Sequence, residues 1–333
     1  MYVLGLDVGG TSSRALLLDP SGRRAGYGKA GGGNPAAHGN EVAVANVGRA
    51  LELALRGVDP ALVAGAVVGM AGRGALDRSV FDPMWASAGL RAVPRLTSDL
   101  GIAFAAGTAE PRGTVLIAGT GAIAARIEDG EPTMIADGLG WLLGDEGSGF
   151  WLGREAARAA AHALGRGRVT GTLTRLVAEA LLEGDPLPPV PPVSELGGGS
   201  PGAAGETRAL AIRLVVRAQS RPPLELARLA PLVGRAAEEG DPAALEIVST
   251  AARLLCRTVA EVRPAGETTP VVLAGSVLTS GGPVCAAVRE GLGASTALAG
   301  DGAGAAAWLA GREAFGWDPG TAARLHARIV SGD

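Results

Sequence analysis

The sequence contains one pattern twice, first near residue 10 and again near residue 120: an apolar strand, a turn of glycines and hydroxyls, and a second apolar strand. In the first copy, strands 2–6 and 15–18 flank a turn made of Gly9, Gly10, Thr11 and Ser12. In the second copy, strands 114–118 and 122–127 flank a turn made of Gly119, Thr120 and Gly121. Two related halves explain such a repeat better than chance, so the pattern predicts a duplicated α/β fold.

Both turns have the chemistry of phosphate-binding loops. Glycine lacks a Cβ, so backbone N–H groups can close around an anion, and the Thr and Ser hydroxyls add donors. Asp7 follows the first strand, where a carboxylate can hold Mg²⁺ through water. The first turn matches neither the dinucleotide-binding fingerprint nor the P-loop pattern. An ordinary glycine-rich hairpin is the alternative, and the second copy counts against it.

Composition narrows the class of protein. Hydrophobic residues make up 47% of the 333 residues and charged residues 19%, which excludes global disorder. The net charge of −3 and the 3% aromatic content give no basis for binding nucleic acid or a membrane surface. No apolar stretch approaches the ~20 residues that span a bilayer, and no signal peptide is recognised at the start. Cys256 and Cys285 form no paired motif, so we expect reduced cysteines and a cytoplasmic location.

Strands and helices alternate in the first half of the chain. After the first hairpin, the predicted elements are strand 23–30, helix 35–56, strand 64–70, helix 79–87, strand 92–96 and helix 100–106. The strand 92–96 brings Thr97, Ser98 and Asp99 to its carboxyl end, which is the edge where open α/β sheets bind ligands.

The second half repeats this order and adds an insert. Its predicted elements are three strands within 114–136, a glycine-rich loop over 137–148, helix 150–164, strand 270–274 and a helix from Pro283. Helical segments between residues 151 and 262 form the insert. They are interrupted by a Pro- and Gly-rich stretch over 183–206, whose part 185–205 is interpreted as a lid or a tolerated insertion. We therefore expect lobes at 1–110 and 111–312, and a C-terminal helix at 313–333.

The two turns, the strand end at Asp99 and the segment Gly-Asp145-Glu-Gly-Ser resemble the N-acetylglucosamine kinase branch of the BadF/BadG/BcrA/BcrD ATPase family, in the actin-like ATPase superfamily. The resemblance extends from Leu4 to Leu309. It implies an α/β fold of two duplicated actin-like (ribonuclease H-like) domains, each a mixed five-stranded sheet with flanking helices. It also implies ATP and Mg²⁺ as cofactors and a sugar as acceptor. Kinases of this branch are often homodimers, so a homodimer is left open.

The resemblance also implies roles for the nucleotide-binding motifs and for the base. Both turns would bind the ATP phosphates, Asp7 would hold Mg²⁺ through water, and Gly275 and Ser276 would form the adenosine-binding turn. Asp99 would be the general base that accepts the proton of the acceptor hydroxyl. From its position alone, Asp99 serves equally well as a helix N-cap.

The sugar-binding residues follow from the same resemblance. Asp145 and Asn34 would bind sugar hydroxyls, because carboxylate and amide groups can each form two hydrogen bonds. The alternatives are that Asn34 is a plain turn residue before a proline and that Asp145 complements a helix dipole. Gly72 would let the backbone approach the sugar.

Two positions depart from the pattern of the family. Ala122 stands where related kinases often have Ser, so one hydroxyl contact to phosphate is missing. Leu139 replaces a Trp in the loop near the sugar, which puts the identity of the sugar in doubt more than the reaction type. In the same loop, Trp141 is either a stacking platform for the sugar or a core residue.

The leading hypothesis is a kinase that transfers the γ-phosphoryl of Mg-ATP to a hexosamine, with N-acetylglucosamine as first choice and glucosamine, N-acetylmuramic acid and glucose left open. A second hypothesis is a BadF-type ATPase that acts on a protein partner, although the separated cysteines argue against the iron–sulfur cluster of such activators. A third is a sugar sensor or an actin-like filament protein. A filament protein would have no need of Asp145 or Asn34.

Overall fold

A computed structural model describes residues 1–167, 171–182, 201–293 and 295–332, with the backbone alone for 201–204. Its first sheet has five strands: β1 (Tyr2–Val8), β2 (Ser13–Leu18), β3 (Arg24–Ala30), β4 (Val63–Met70) and β5 (Arg95–Ser98). They lie in the order β3-β2-β1-β4-β5, with β1 antiparallel to β2 and parallel to β4. The predicted hairpin is present, but Asp7 lies within β1 and not beyond its end.

The second sheet repeats this topology. Its strands are β6 (Arg112–Ala118), β7 (Ala122–Glu128), β8 (Glu131–Asp137), β9 (Val271–Ala274) and β10 (Thr296–Leu298). Their order, β8-β7-β6-β9-β10, matches that of the first sheet strand for strand. The predicted duplication and the two mixed five-stranded sheets are therefore confirmed. The short strand β10 was not predicted.

Four helices accompany the first sheet: α1 (Pro35–His38), α2 (Asn40–Ala54), α3 (Arg78–Ser87) and α4 (Asp99–Ala105). The prediction of one helix over 35–56 was wrong, because Gly39 has a positive φ of 78° with an extended ψ of 158°, which ends α1 before α2 begins. Val42, near the start of α2, is 53% exposed.

The second half supplies the remaining helices: α5 (Gly149–Gly165), α6 (Thr172–Leu182), α7 (Pro201–Gln219), α8 (Ala230–Glu238), α9 (Pro242–Val262), α10 (Ser276–Thr279), α11 (Pro283–Leu292), α12 (Gly302–Phe315) and α13 (Pro319–Ser331). Most of the predicted interruption, residues 183–200, lies outside the described residues. Its remaining part, 201–206, belongs to α7, which begins at Pro201. In the described part of the chain, no helix is long and apolar enough to cross a membrane.

Two helices join the halves by packing on the opposite sheet. Helix α4 follows β5, yet Phe104 packs against Val272 of the second sheet. Helix α12 follows β10, yet it packs on β1 and β4 of the first sheet. Gly5 permits this approach, since a Cβ there would lie 2.0 Å from the backbone nitrogen of Ala307. The lobe bounds expected from the sequence place residues 302–312 in the second lobe and residues 313–333 in a separate C-terminal helix.

Candidate active site

The two glycine turns occupy equivalent positions, between β1 and β2 (the first glycine turn, residues 9–12) and between β6 and β7 (the second glycine turn, residues 119–121). Each is closed by one backbone hydrogen bond of 2.9 Å, from Gly9 N to Ser12 O and from Gly119 N to Gly121 O. No atom lies within 4 Å of where a Cβ on Gly10 or Gly119 would stand. The tips of both turns are therefore open for an anion.

Asp7 lies beside the first glycine turn among other charged groups. It pairs across the strands with Arg14, whose Nη1 lies 3.7 Å from Asp7 Oδ2. Burial raises the pKa of Asp7 to about 6; Arg14 opposes this shift, while Asp99 and Asp301 add to it. Gly302, the first residue of α12, is so close that a Cβ there would lie 2.6 Å from Asp7 Oδ2. Three carboxylates thus share this region with two guanidinium groups, because Asp301 is paired with Arg24 at 2.8 Å.

Replacing Asp7 with Asn should stabilise the ligand-free protein at neutral pH. Folding raises the pKa of Asp7, so this carboxyl stabilises the native state at pH values below its ordinary pKa, where it is protonated. That contribution is lost as the pH rises through about 6. Asp7 retains 27% side-chain exposure, so we expect a gain of about 2 kcal/mol at pH 8, fading below pH 4. Thermal unfolding at several pH values measures it, with the exposed Asp82→Asn as control. A gain that does not depend on pH would contradict this assignment.

Asp99 is the first residue of α4, but it is not the helix cap. Ser98 holds that position, and its Oγ accepts a hydrogen bond of 3.1 Å from Gly101 N. Burial raises the pKa of Asp99, while backbone N–H groups of Leu100 and Asp99 partly offset the shift. The N-cap alternative left open by the sequence is therefore wrong, because the carboxylate of Asp99 does not cap α4.

Asn34 and Gly72 meet in the first half. Asn34 Oδ1 accepts a 2.9 Å hydrogen bond from Ala36 N and caps α1. Gly72 has a left-handed backbone (φ 67°), and a Cβ there would lie 2.2 Å from Asn34 Oδ1. His38 of the same helix lies 2.6 Å, through Nε2, from Gly10 O, so it links this pair to the first glycine turn. The sequence pattern around His38 indicates neither a catalytic triad nor a metal site.

Asp145 belongs to the second half, in the loop over residues 137–148 that we call the acceptor loop. Its Oδ1 accepts a 3.2 Å hydrogen bond from Ala122 N, at the end of the second glycine turn. Burial raises the pKa of Asp145, the Ala122 amide lowers it, and Asp137 raises it. Trp141 packs edge-on against Phe150 at a centroid distance of 5.5 Å while remaining 37% exposed.

A cavity of about 430 Å³ adjoins the second glycine turn. Gly119 and Thr120 form one side, and Ser276 of α10 and Pro283 of α11 form another. Gly275 brings α10 to this place, because its φ of 83° and its approach to Ala118 O, 2.4 Å from a Cβ position, both require glycine. Its third wall is α8, with Gly234, Arg235 and Glu238. Sequence reasoning missed α8, whose side chains form no motif.

The predicted site residues therefore form two groups. Asp7, Asp99, Asn34 and Gly72 accompany the first glycine turn, whereas Asp145, Trp141, Gly275 and Ser276 accompany the second. In the described ranges, no hydrogen bond or ion pair joins a site side chain of the first group to a site side chain of the second. Nor do the described residues include any group of three or more His, Cys, Asp or Glu arranged to hold a metal. Asp7 alone, with 27% of its side chain exposed beside the first glycine turn, suits a divalent cation that keeps most of its water.

The solved structures that resemble this fold include two proteins proposed to be N-acetylglucosamine kinases. A protein from Chromobacterium violaceum, proposed to be an N-acetylglucosamine kinase, is 25% identical and superposes with a TM-score of 0.68, covering 92% of this chain and 98% of its own. A protein from Porphyromonas gingivalis, also proposed to be an N-acetylglucosamine kinase, is 18% identical with a TM-score of 0.61, covering 89% and 93%. At 18% identity, the likeness to the Porphyromonas gingivalis protein is informative about the fold alone.

Comparison of the sequence with curated proteins finds no significant match. The sequence model of one family, however, matches residues 4–293. This range includes both glycine turns, the strand end at Asp99, the acceptor loop and the turn at Gly275. The chain therefore belongs to the BadF/BadG/BcrA/BcrD ATPase family.

Proposed function

We propose that this protein is an ATP-dependent sugar kinase that transfers the γ-phosphoryl group to a hydroxyl of a hexosamine, with N-acetylglucosamine as first choice. One observation carries the proposal: the half-buried carboxylate of Asp99, which does not cap α4 because Ser98 does, lies in the same charged group as Asp7 beside an open glycine turn. Phosphoryl transfer needs phosphate binding, charge neutralisation and a base for the acceptor proton. This group of residues supplies all three.

Asp99 accepts the proton of the acceptor hydroxyl in this proposal. Burial raises its pKa, which makes the ionised carboxylate a stronger base than an exposed Asp. Asp7 would hold Mg²⁺ through water, and the ion would neutralise charge on the β- and γ-phosphates. Arg14 lies 3.7 Å from Asp7 and provides a second positive charge beside the same phosphates.

Substrates are assigned to the two groups of residues. The cavity between the second glycine turn, α8, α10 and α11 holds the nucleoside, and both turns hold the phosphates through their open tips. Asn34, whose Oδ1 is already used by α1, binds the sugar through its Nδ2, and Asp145 binds it from the second half. Because these groups lie on different halves, closure of the lobes is needed to complete the site and to exclude water.

The assignment of a hexosamine draws on the likeness to the Chromobacterium violaceum protein, which is itself proposed to be an N-acetylglucosamine kinase. The family also takes its name from ATPases, so a protein acceptor is the competing outcome. For an iron–sulfur activator, cysteines would have to face a partner. Cys285 is buried in α11 and Cys256 in α9 is half-buried, with its Sγ directed to Val288 O at 3.7 Å.

The test is a coupled ADP-release assay with Mg-ATP and a panel of acceptors: N-acetylglucosamine, glucosamine, N-acetylmuramic acid, N-acetylmannosamine, glucose and no sugar. We expect one hexosamine to stimulate ADP release strongly over the sugar-free rate, with a phosphorylated sugar recovered by mass spectrometry. ADP release that ignores every sugar would reject the kinase proposal and favour an ATPase with a protein partner.

A further inference from the structure

The acceptor loop contains two aspartates with an unusual backbone. Asp137, the last residue of β8, has a φ of 60°, and Asp145 has a φ of 56°. Non-glycine residues rarely adopt this left-handed conformation, although Asp and Asn tolerate it best. Such strain persists only where the surroundings hold it in place. The surroundings here are hydrogen bonds between the two ends of the loop.

The carboxylate of Asp137 closes the loop. Its Oδ1 accepts a 2.6 Å hydrogen bond from Asp145 N, and its Oδ2 accepts a 2.9 Å hydrogen bond from Glu146 N. Gly144 is required for this approach, because a Cβ there would lie 2.2 Å from Asp137 Oδ1. Both oxygens of Asp137 are thus engaged with the backbone, so this side chain is not a substrate ligand itself.

Asp145 extends the connection to the second glycine turn. Its carboxylate accepts from Ala122 N at 3.2 Å, and a Cβ on Gly121 would lie 2.7 Å from its Oδ2. Asp145 is only 9% exposed. The orientation of its carboxylate therefore depends on where the backbone of residue 145 is held, and Asp137 holds it.

We propose that Asp137 is the positioning residue of the acceptor loop: by binding the amides of Asp145 and Glu146, it fixes the carboxylate of Asp145 at the edge of the second glycine turn. The inference rests on the proposed sugar kinase function and adds to it the residue that orients the sugar ligand Asp145. Sequence reasoning gave Asp137 no role beyond the start of a loop, because its partners lie eight and nine positions later in the chain.

The charge of Asp137 provides a second readout besides the KM for the sugar. Asp137 raises the pKa of Asp145 through its negative charge. The other nearby carboxylate, Glu146, is paired with Arg257 of α9. Removing the charge of Asp137 should therefore lower the pKa of Asp145, whereas displacing Asp137 without removing its charge should not.

Two variants separate these effects. Asp137→Asn removes the charge and one acceptor, whereas Gly144→Ala displaces the carboxylate and keeps its charge. We expect both to raise the KM for the sugar by about ten- to hundredfold with kcat little changed, as for a ligand moved out of register. Only Asp137→Asn should lower the pKa of Asp145, measured by carboxyl ¹³C NMR. The control is Asp129→Asn, the same change at the exposed left-handed residue (φ 50°) in the far turn of the β7–β8 hairpin.

The outcomes distinguish this inference from the proposed function. If the wild type phosphorylates a sugar and both variants keep its KM, the positioning role is overturned and the kinase stands. If no sugar is phosphorylated, the proposed function fails, and amide hydrogen exchange of Asp145 and Glu146 decides the matter. Faster exchange in Asp137→Asn than in Asp129→Asn supports the positioning role of Asp137, and equal exchange overturns it. Thermal unfolding of each variant confirms that a folded protein is being compared.

Discussion

Replacing Asp99 with Asn should lower kcat for sugar phosphorylation by ~10²–10⁴, the range for losing a positioned general base. Asparagine has nearly the same shape but cannot accept the hydroxyl proton. Helix α4 should remain intact, since its cap is the Oγ of Ser98, 3.1 Å from Gly101 N. We therefore expect the affinities for ATP and sugar to change little. Isothermal titration of both ligands and steady-state kinetics measure the two effects separately.

The matched control is Ser98→Ala, the neighbouring substitution that removes the helix cap and leaves the carboxylate. It should cost about 1 kcal/mol of stability and retain most of kcat. If Asp99→Asn kept wild-type turnover while Ser98→Ala lost it, the assignment of the base would be wrong. The catalytic effect would then have to come from the geometry of the start of α4.

Local sequence signals were sufficient for the two hairpins and their turns. Strands β1, β2, β6 and β7 are apolar runs flanking glycine and hydroxyl residues, and such turns are determined by neighbours a few residues away. The same holds for α9, whose predicted end at Val262 is confirmed. Local signals could not decide between base and cap at Asp99, because Ser98 and Asp99 are both good cap residues.

The structural features that could not be predicted from the sequence depend on contacts between residues that are distant along the chain. Strand β10 has three residues, too few for a periodic pattern. Its place in the sheet comes from pairing with β9. The wall that α8 forms in the cavity beside the second glycine turn, and the hydrogen bonds of Asp137 to the amides of Asp145 and Glu146, depend on where separate segments meet. The packing of α12 on the first sheet is of the same kind, since it requires Gly5 to lie under a helix that begins almost three hundred residues later.

That packing predicts a large loss of stability when Gly5 is replaced. Gly5→Ala should lower the free energy of unfolding by about 3 kcal/mol or more, at the upper end for an overpacked core. The new Cβ would lie 2.0 Å from Ala307 N and 2.4 Å from Ala303 O. Both are backbone atoms of α12, so no rotamer change relieves the clash and the helix itself has to move. Gly302 at the start of α12 lies against Asp7, so activity should fall as well.

The control for this substitution is Gly74→Ala, where the structure leaves open space: no atom lies within 4 Å of the Cβ position. It should change stability by no more than about 0.5 kcal/mol. Urea unfolding of the two variants and the wild type, followed by tryptophan fluorescence, gives the comparison, since Trp308 of α12 is buried in the same cluster. An unchanged midpoint for Gly5→Ala would mean that α12 does not rest on β1. The contact between the start of α12 and Asp7 would then be lost.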